Sequence, residues 1–195
     1  MTSHYSGHVL VVMAPMGSGK GTIIKAGLRA FPDTHITVSC TTRDPRPGEQ
    51  NCREYHFISS DEFDAKIAAG DFLEWAHFGI NRYGTLKQEI IPYLEQGKLV
   101  IAEIEVQGVE QLHQLLPAEN ITTVYVEAGG WEVLKARALA RAEISDVELG
   151  KRYERFLVEV EAKTMADISI DNSGADSSAA EQEFIRVIEH INTLK

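Results

Sequence analysis

The sequence predicts an α/β fold in which helices flank a parallel sheet and a small lobe is inserted between core elements. Two observations support this prediction. Short apolar, β-branched runs alternate with amphipathic segments of helical spacing, which is the order of βα units. A polar stretch broken by prolines then interrupts that order after the second apolar run. At 195 residues, the chain is long enough for one compact domain with a sizeable core.

The first predicted βα unit contains a glycine-rich turn. The run from Val9 to Met13 predicts a buried strand, and after Ala-Pro-Met-Gly-Ser-Gly an amphipathic helix begins. Backbone N–H groups in such a turn can surround an anion, and Lys20 adds a full charge. The template G-x-x-x-x-G-K-[ST] is met at Gly19 and Lys20 only, because Ala14 and Gly21 replace its first glycine and its hydroxyl. The turn predicts a phosphate site.

A basic loop follows the second predicted strand, which runs from Ile36 to Cys40. Its sequence, TTRDPRPGEQNCREY, carries Arg43, Arg46 and Arg53, and its prolines exclude a helix. Arginine binds phosphate through a bidentate fork, so a second anion site is favoured over a solvated loop.

The elements after this loop are short. A helix capped by Ser59 or Ser60 should run through Ile67, and a strand should extend from Phe72 to Phe78. Tyr83 to Thr85 is predicted to be a turn before the next helix. Residues 41–90 are therefore expected to form the inserted lobe.

Two carboxylates follow the next apolar run, which begins at Leu99. Alternation predicts that Glu103 and Glu105 lie on one side of a strand at its carboxyl end. Ligands bind at that edge of doubly wound sheets, so a functional role is favoured over a solvated pair.

Arginines mark the helices that follow the predicted strand from Ile121 to Val126. Arg137 and Arg141 share one helix face at i, i+4, and a helix capped by Ser145 carries Arg152. These helices could close over phosphates or form a solvated hairpin paired with nearby acidic residues. A last strand, residues 167–171, precedes the closing helix.

The composition argues against several partners and locations. A formal net charge of -10 argues against general binding of nucleic acid or acidic membranes. No apolar run approaches the ~20 residues of a membrane span, and the N-terminus lacks the form of a signal peptide. We therefore expect a cytoplasmic protein. Cys40 and Cys52 have no paired ligands nearby, so each is expected to be a lone thiol.

The sequence resembles guanylate kinases from about Val9 to its C-terminus. Its segment SCTTRDPRPGE, residues 39–49, is similar to the family signature S-x-T-T-R-x-P-R-x-G-E, and EYHF, FLE, YGT and VQG follow in the family's order. The resemblance implies a single domain with a P-loop kinase core, an inserted GMP-binding lobe and a helical lid. These parts span about residues 8–40, 98–135 and 160–195 for the core, 41–90 for the lobe and 136–156 for the lid.

The resemblance also implies a reaction: transfer of the ATP γ-phosphate to GMP, and to dGMP, with Mg²⁺ as the metal. The residues implied to bind ATP are Ala14, Pro15, Met16, Gly17, Ser18, Gly19, Lys20, Gly21, Thr22 and Asn172. Those implied to bind GMP are Ser39, Arg43, Arg46, Tyr55, Glu74, Tyr83, Thr85 and Glu103. The implied catalytic residues are Lys20, Arg43, Arg137, Arg141 and Arg152, and Thr22 and Glu105 would act indirectly on the metal.

The chain departs from the family pattern at several positions. Glu103 and Glu105 stand where the family usually has aspartate, and Cys52 occupies a usual glycine. Two other interpretations remain open: a catalytically inactive binding module of the same fold, and a kinase of a different nucleoside monophosphate. The sequence gives no oligomeric state.

Overall fold

The structure is a computed structural model that describes residues 5–140 and 143–194. The strands are β1 (His8–Met13), β2 (His35–Ile36), β3 (Cys40–Thr41), β4 (His56–Phe57), β5 (Phe72–Phe78), β6 (Asn81–Leu86), β7 (Leu99–Glu103), β8 (Ile121–Glu127) and β9 (Ile168–Asp171). The helices are α1 (Lys20–Ala30), α2 (Ser60–Ala69), α3 (Ile91–Glu95), α4 (Val106–Leu115), α5 (Trp131–Leu139), α6 (Asp146–Glu161) and α7 (Ser178–Thr193). Short 3-10 turns cover Lys87–Glu89, Ala118–Asn120 and Ala162–Met165.

The strands form two sheets. One has the order β2-β7-β1-β8-β9 and the other the order β4-β3-β6-β5. By packing, the chain divides into two compact units: the first holds the described residues up to Val9 and His35–Ile121, and the second holds Leu10–Thr34 and the described residues from Thr122 onward. Within the described ranges, no helix combines the length and the apolar character needed to cross a membrane.

The first unit contains the four-stranded sheet. Strand β3 pairs in parallel with β4 and antiparallel with β6, which in turn pairs antiparallel with β5. Helix α2 begins after Ser59, whose side chain accepts the Glu62 N–H, and ends at Gly70 in a left-handed conformation. The buried side chains of Cys40, Phe63, Phe72 and Leu86 pack together as a core cluster.

Two predicted elements in this unit were wrong. The strand predicted from Ile36 to Cys40 is two strands in different sheets, because β2 pairs with β7 whereas β3 pairs with β4 and β6. The predicted turn at Tyr83–Thr85 lies inside β6. Gly84 is needed there for close packing, since a Cβ at this position would lie 2.8 Å from the Trp75 Cβ.

The second unit contains α1, β8, β9 and the last three helices. Helices α1 and α7 approach closely at Gly27, where an added Cβ would lie 2.7 Å from the Ile188 Cδ1. Phe184, Ile188 and Ile191 of α7 are buried, as their helical spacing predicts. The parallel pair β8–β9 places Asp171 opposite Glu127, so Asn172 leaves the sheet at its carboxyl edge.

Candidate functional site

The predicted phosphate loop lies in the second unit. Gly17 and Gly19 have φ angles of 87° and 88°, a left-handed conformation that side chains disfavour. The Ser18 N–H donates to the Pro15 carbonyl oxygen at 3.1 Å, and the Lys20 N–H donates to the Ser18 Oγ at 3.2 Å. Helix α1 begins at Lys20. The glycines therefore turn the chain tightly into a helix N-terminus, whose positive dipole end favours an anion.

Two predicted residues contact this loop from later elements. The buried Asn172 donates from Nδ2 to the Ser18 carbonyl oxygen at 2.6 Å. The Arg137 guanidinium on α5 donates to the carbonyl oxygens of Asn172 at 3.0 Å and Gly174 at 2.9 Å, and reaches that of Ser18 at 3.5 Å. A Cβ at Gly19 would lie 2.5 Å from the Asn172 Nδ2, so this position also excludes a side chain on packing grounds.

A cavity of about 320 Å³ opens beside the loop. This size is within the range of small-molecule sites. A full positive charge and a helix N-terminus at one cavity suit a phosphate-bearing ligand. The residues that line it are Gly17, Gly19, Thr22, Arg137, Ala140, Asn172, Gly174, Ala175 and Ser177.

The other two predicted arginines differ: one is described and does not line this cavity, and the other is not among the described residues. Arg152 on α6 donates from Nε to the Glu148 Oε1 at 3.0 Å, one turn earlier, and is not among the lining residues. Arg141 lies outside the described residues.

The sequence did not predict the role of Glu159, on α6. Its carboxylate is only 6% exposed and accepts the Met16 N–H of the loop at 2.9 Å. Arg155 pairs with it one turn earlier on the same helix. The i, i+4 spacing of these two residues is visible in the sequence, but the contact across 143 positions is not.

The basic loop of the first unit is organised around Glu49. The Arg43 guanidinium donates NH1 and NH2 to the two carboxylate oxygens of Glu49 at 2.6 and 2.7 Å, and the Arg46 N–H donates to the same carboxylate at 2.8 Å. These bonds, led by the one from Arg43, lower the pKa of Glu49 to about 2. Arg43 is only 11% exposed in its side chain, which fixes its direction.

Aromatic side chains surround Arg43. Its guanidinium carbon lies 5.1 Å from the ring centre of Tyr55 and 5.4 Å from that of Phe57. The rings of Tyr55 and Tyr83 are 5.8 Å apart, edge to face. The structure therefore brings Arg43, Tyr55 and Tyr83 together, whereas Arg46 contributes its backbone to the loop.

A buried carboxylate lies on the neighbouring strands. Glu74 is 4% exposed and pairs in register with Thr85, whose hydroxyl shares a hydrogen bond of 3.2 Å with the Ser39 Oγ. Burial raises the pKa of Glu74 to about 7, although hydrogen bonds with Thr85 oppose the shift. These three predicted residues form one polar group.

Helix α4 fixes the position of this carboxylate, which the sequence did not predict. A Cβ at Gly108 would lie 2.2 Å from the Glu74 Oε2, so only glycine leaves room there. The Gln111 side chain accepts the Trp75 N–H at 3.2 Å and donates to the Trp75 carbonyl oxygen at 2.7 Å.

The two predicted strand-end carboxylates are not on one strand face. Strand β7 ends at the exposed Glu103, and Glu105 is the N-cap of α4. The prediction by strand alternation was therefore wrong for Glu105. The negative charge of Glu105 nevertheless adds to the rise in the pKa of Glu74. No group of three histidine, cysteine, aspartate or glutamate residues within 5–140 and 143–194 is arranged to hold a metal.

Comparison with known proteins identifies the family. The family model described as guanylate kinase matches residues 6–189. The chain belongs to the guanylate kinase family. A guanylate kinase from Rubrobacter xylanophilus is 38% identical over 95% of both chains, and one from Trichormus variabilis is 35% identical over 89% of this chain and 86% of its own. The family predicted from the sequence is thus confirmed.

A solved structure supports the predicted fold. The guanylate kinase from Anaplasma phagocytophilum superposes with a TM-score of 0.72 over 100% of this chain and 88% of its own, at 20% identity. The α/β fold of the P-loop kinase type is confirmed.

Proposed function

We propose that this chain transfers the γ-phosphate of ATP to GMP, and also to dGMP, forming ADP and GDP or dGDP. Family membership supports the reaction class. The observation that carries the choice of acceptor is the buried Glu74 carboxylate beside Thr85, in the same unit as the Arg43 loop. A nucleotide with a base rich in N–H donors and a phosphate suits this pair of features.

The base is recognised by hydrogen-bond direction. Guanine presents an N1–H and an N2 amino group, both donors, whereas adenine presents an acceptor at N1. The Glu74 carboxylate and the Thr85 hydroxyl accept these donors, and the exposed Glu103 supplies a further acceptor. Because an unfilled buried acceptor is costly, an adenine base is rejected.

The acceptor phosphate binds at the free edge of Arg43. Three of the five N–H donors of this guanidinium already bond to Glu49 and to the Asp44 carbonyl oxygen. The remaining edge, formed by Nε–H and the outer NH2 hydrogen, suits a phosphate in bidentate geometry. Ser39, Arg46, Tyr55 and Tyr83 complete the phosphate site in this proposal.

ATP binds at the loop and cavity of the second unit. In this proposal the loop backbone and Lys20 hold the phosphates, Arg137 neutralises the charge that develops on the transferred group, and Asn172 is assigned to the adenine end. The acceptor is already an oxyanion, so the reaction needs positioning and charge neutralisation rather than a strong base. Closing the site over both phosphates excludes water and suppresses hydrolysis of ATP.

The residues present fit Mg²⁺. This ion takes one or two protein oxygens together with substrate phosphates and waters. Thr22 lines the cavity. In the proposal, Thr22 and Glu105 each act on the ion indirectly. When bound, the ion supplies charge neutralisation at the phosphate oxygens.

The proposal assigns a role to each part of the chain. Residues 41–90 serve as the GMP-binding lobe, about 136–156 as the lid, with Arg141 and Arg152 as lid arginines, and the remainder as the ATP-binding core. We place the reaction in the cytoplasm, which agrees with the free thiols of Cys40 and Cys52.

A panel of acceptors tests the proposed function. ATP consumption is measured with GMP, dGMP, AMP, UMP and CMP supplied separately. We expect turnover with GMP and dGMP and at least about 100-fold lower kcat/KM with the others, because the site pairs with donors. Preference for AMP or UMP contradicts the guanine assignment, and no turnover with any acceptor contradicts catalysis and supports a binding module.

A further inference from the structure

A cluster of ionisable side chains in the first unit has no part in the proposed reaction. The Glu89 carboxylate lies between two imidazoles, with Oε2 3.5 Å from the His35 Nε2 and Oε1 3.7 Å from the His56 Nε2. All three side chains are largely buried, with 16%, 21% and 27% exposure for Glu89, His35 and His56. Both Nε2 atoms are buried, and neither makes a hydrogen bond within the described residues, so Glu89 faces them without bonding to them.

The Glu89 carboxylate also accepts a hydrogen bond from the backbone. The Val38 N–H donates to the Glu89 Oε2 at 3.0 Å, across 51 positions of sequence. Val38 lies in the connector of residues 37–39, which joins β2 to β3 and therefore passes from one sheet to the other. A charged acceptor makes a stronger bond with a backbone N–H than a neutral one.

The connector is fixed on both sides of Val38. The Thr37 N–H donates to the Ile101 carbonyl oxygen at 3.0 Å, and the His56 N–H donates to the Ser39 carbonyl oxygen at 2.9 Å. His56 thus contributes its ring to Glu89 and its backbone to Ser39. The Ser39 hydroxyl shares a hydrogen bond with the Thr85 hydroxyl, and Thr85 lies opposite Glu74 in the sheet.

The cluster is rigid at its other end. The His35 ring stacks on the Tyr93 ring with centroids 3.6 Å apart and planes 6° apart, and the Lys98 ammonium lies 5.6 Å from the Tyr93 centroid. Stacking prevents the imidazole from turning away from Glu89. The Glu89 carboxylate is largely out of water, so its bond with the Val38 N–H is costly to lose.

We propose that Glu89, held between His35 and His56, is a positioning residue that sets the conformation of Val38 and Ser39 and so orients the Ser39 hydroxyl toward the acceptor phosphate. This inference rests on the proposed function, in which Ser39 contacts the phosphate of GMP. It assigns to Glu89 an effect on the acceptor that does not extend to ATP.

Two substitutions at Glu89 distinguish the effect of its hydrogen bond with Val38 from the effect of its size. Glu89→Ala removes the acceptor. We expect the KM for GMP to rise about tenfold, because a hydrogen bond to a charged group is lost, while the KM for ATP stays within about twofold of that of the unsubstituted protein. Glu89→Gln keeps an oxygen that can accept the Val38 N–H, so its KM for GMP should return to within about threefold of the unsubstituted protein. Asp64→Asn, at a carboxylate of the same unit that is 64% exposed, is the control and should change neither KM.

Amide hydrogen exchange at Val38 in the ligand-free protein is the second measurement. We expect exchange about tenfold faster in Glu89→Ala and near the original rate in Glu89→Gln, because only the first lacks an acceptor. Equal changes in both KM values, or a Glu89→Gln protein as impaired as Glu89→Ala, would overturn the proposal. If Glu89→Ala does not fold, Glu89→Asp decides: it keeps the charge but withdraws the acceptor by one methylene, and an unchanged KM for GMP would overturn the proposal.

The two proposals fail in different ways. If the unsubstituted protein does not use GMP, the proposed function is wrong. The exchange rate at Val38 then decides whether Glu89 fixes the connector. An unchanged rate in Glu89→Ala contradicts this role, and a faster rate supports it.

Discussion

Glu74 is a carboxylate held almost entirely out of water. Burial raises its pKa to about 7, with a smaller contribution from the charge of Glu105. At neutral pH, the ligand-free protein therefore contains both the protonated and the ionised forms. Guanine donors pair with the ionised form, so binding of GMP and loss of the proton are linked.

The affinity for GMP should consequently depend on pH. We expect the KM for GMP to fall as pH rises from about 6 to 8, because ionised Glu74 becomes the major form above its pKa of about 7. Steady-state kinetics over this range measures it, with the KM for ATP followed as the reference. A KM for GMP that rises over the same range would contradict the role of Glu74 as an acceptor of guanine protons.

The raised pKa of Glu74 should also make the stability of the protein depend on pH, and Glu74→Gln tests this. Between the ordinary value of 4.5 and about 7, the folded protein binds more protons at Glu74 than the unfolded chain does. Raising the pH through this window therefore lowers the free energy of unfolding, by about 2–3 kcal/mol. Glu74→Gln has no such loss. Urea unfolding at pH 5 and pH 8 should therefore show that the free energy of unfolding of the variant, relative to that of the unsubstituted protein, is higher at pH 8 than at pH 5.

Cys52 is the second residue with an unusual environment. It has a φ of 64°, and within residues 5–140 and 143–194 it is the one non-glycine residue with positive φ. Its N–H donates to the Tyr55 carbonyl oxygen at 2.8 Å, so the turn holds this residue in a conformation that favours glycine.

We expect Cys52→Gly to stabilise the protein by about 0.5–1 kcal/mol, because the relief of left-handed strain exceeds the entropy that glycine adds to the unfolded chain. Denaturant unfolding measures the change. Cys52→Ser, which retains a Cβ, is the control and should be close to neutral. Destabilisation by the glycine would show that the conformation carries no strain.

At the scale of elements, two helices position residues of the candidate site. Helix α6 reaches the phosphate loop through Glu159 and Met16, and α4 shapes the acceptor site through Gly108. Neither Glu159 nor Gly108 contacts substrate in the proposal, and each acts on a neighbouring residue that does.

Glu159→Ala should weaken ATP binding. Loss of a buried, charged acceptor removes the partner of the Met16 N–H in the phosphate loop, so we expect the KM for ATP to rise about tenfold with little change for GMP. Glu154→Gln, at an exposed position of the same helix, is the control. Unchanged ATP kinetics in a folded Glu159→Ala protein would contradict a role in holding the loop.

Gly108→Ala should act on GMP instead. The added methyl would lie 2.2 Å from the Glu74 Oε2 and 2.7 Å from the Ile104 Cγ2, so the carboxylate must move. We expect the KM for GMP to rise at least about tenfold, whereas Gly150→Ala, with nothing within 4 Å, should leave both KM values unchanged and slightly stabilise α6. The two alanine variants differ only in what the new methyl meets.

Local chemistry decides which elements the sequence can predict. The cap at Ser145 was predicted, and Ser59 was one of the two residues predicted to cap α2, because each cap depends on residues within one turn. The glycine of β6 was mistaken for a turn residue, because its reason is the approach of Trp75 from the neighbouring strand. The roles of Glu159, Gln111 and Glu89 depend on partners 36 to 143 positions away, which no local pattern contains.

At the scale of the whole molecule, the proposed reaction requires two nucleotide phosphates to meet. The donor and acceptor residues fall in different compact units, each with its own arginine: Arg137 in the second and Arg43 in the first. The sequence predicted both sets of residues, through the glycine-rich turn and the Ser39 to Glu49 segment. The proposal asks each arginine to stabilise the transferring group.

Arg137→Ala should separate folding from turnover. We expect the variant to fold and kcat to fall about 10³-fold, the size of effect found for an arginine that serves a phosphoryl transition state. Circular dichroism and steady-state kinetics measure the two properties. Arg29→Ala, which removes an arginine 68% exposed in its side chain, is the control and should leave kcat unchanged. Normal turnover in folded Arg137→Ala would contradict its assignment.

The most direct test of the central claim follows the transferred group itself. The purified protein is incubated with GMP, Mg²⁺ and ATP that is radiolabelled in the γ-phosphate, and the products are separated. The proposed function predicts that the label appears in GDP, that unlabelled ADP forms in equal amount, and that little label is released as inorganic phosphate. Label that remains in ATP, or that leaves only as inorganic phosphate, would contradict it.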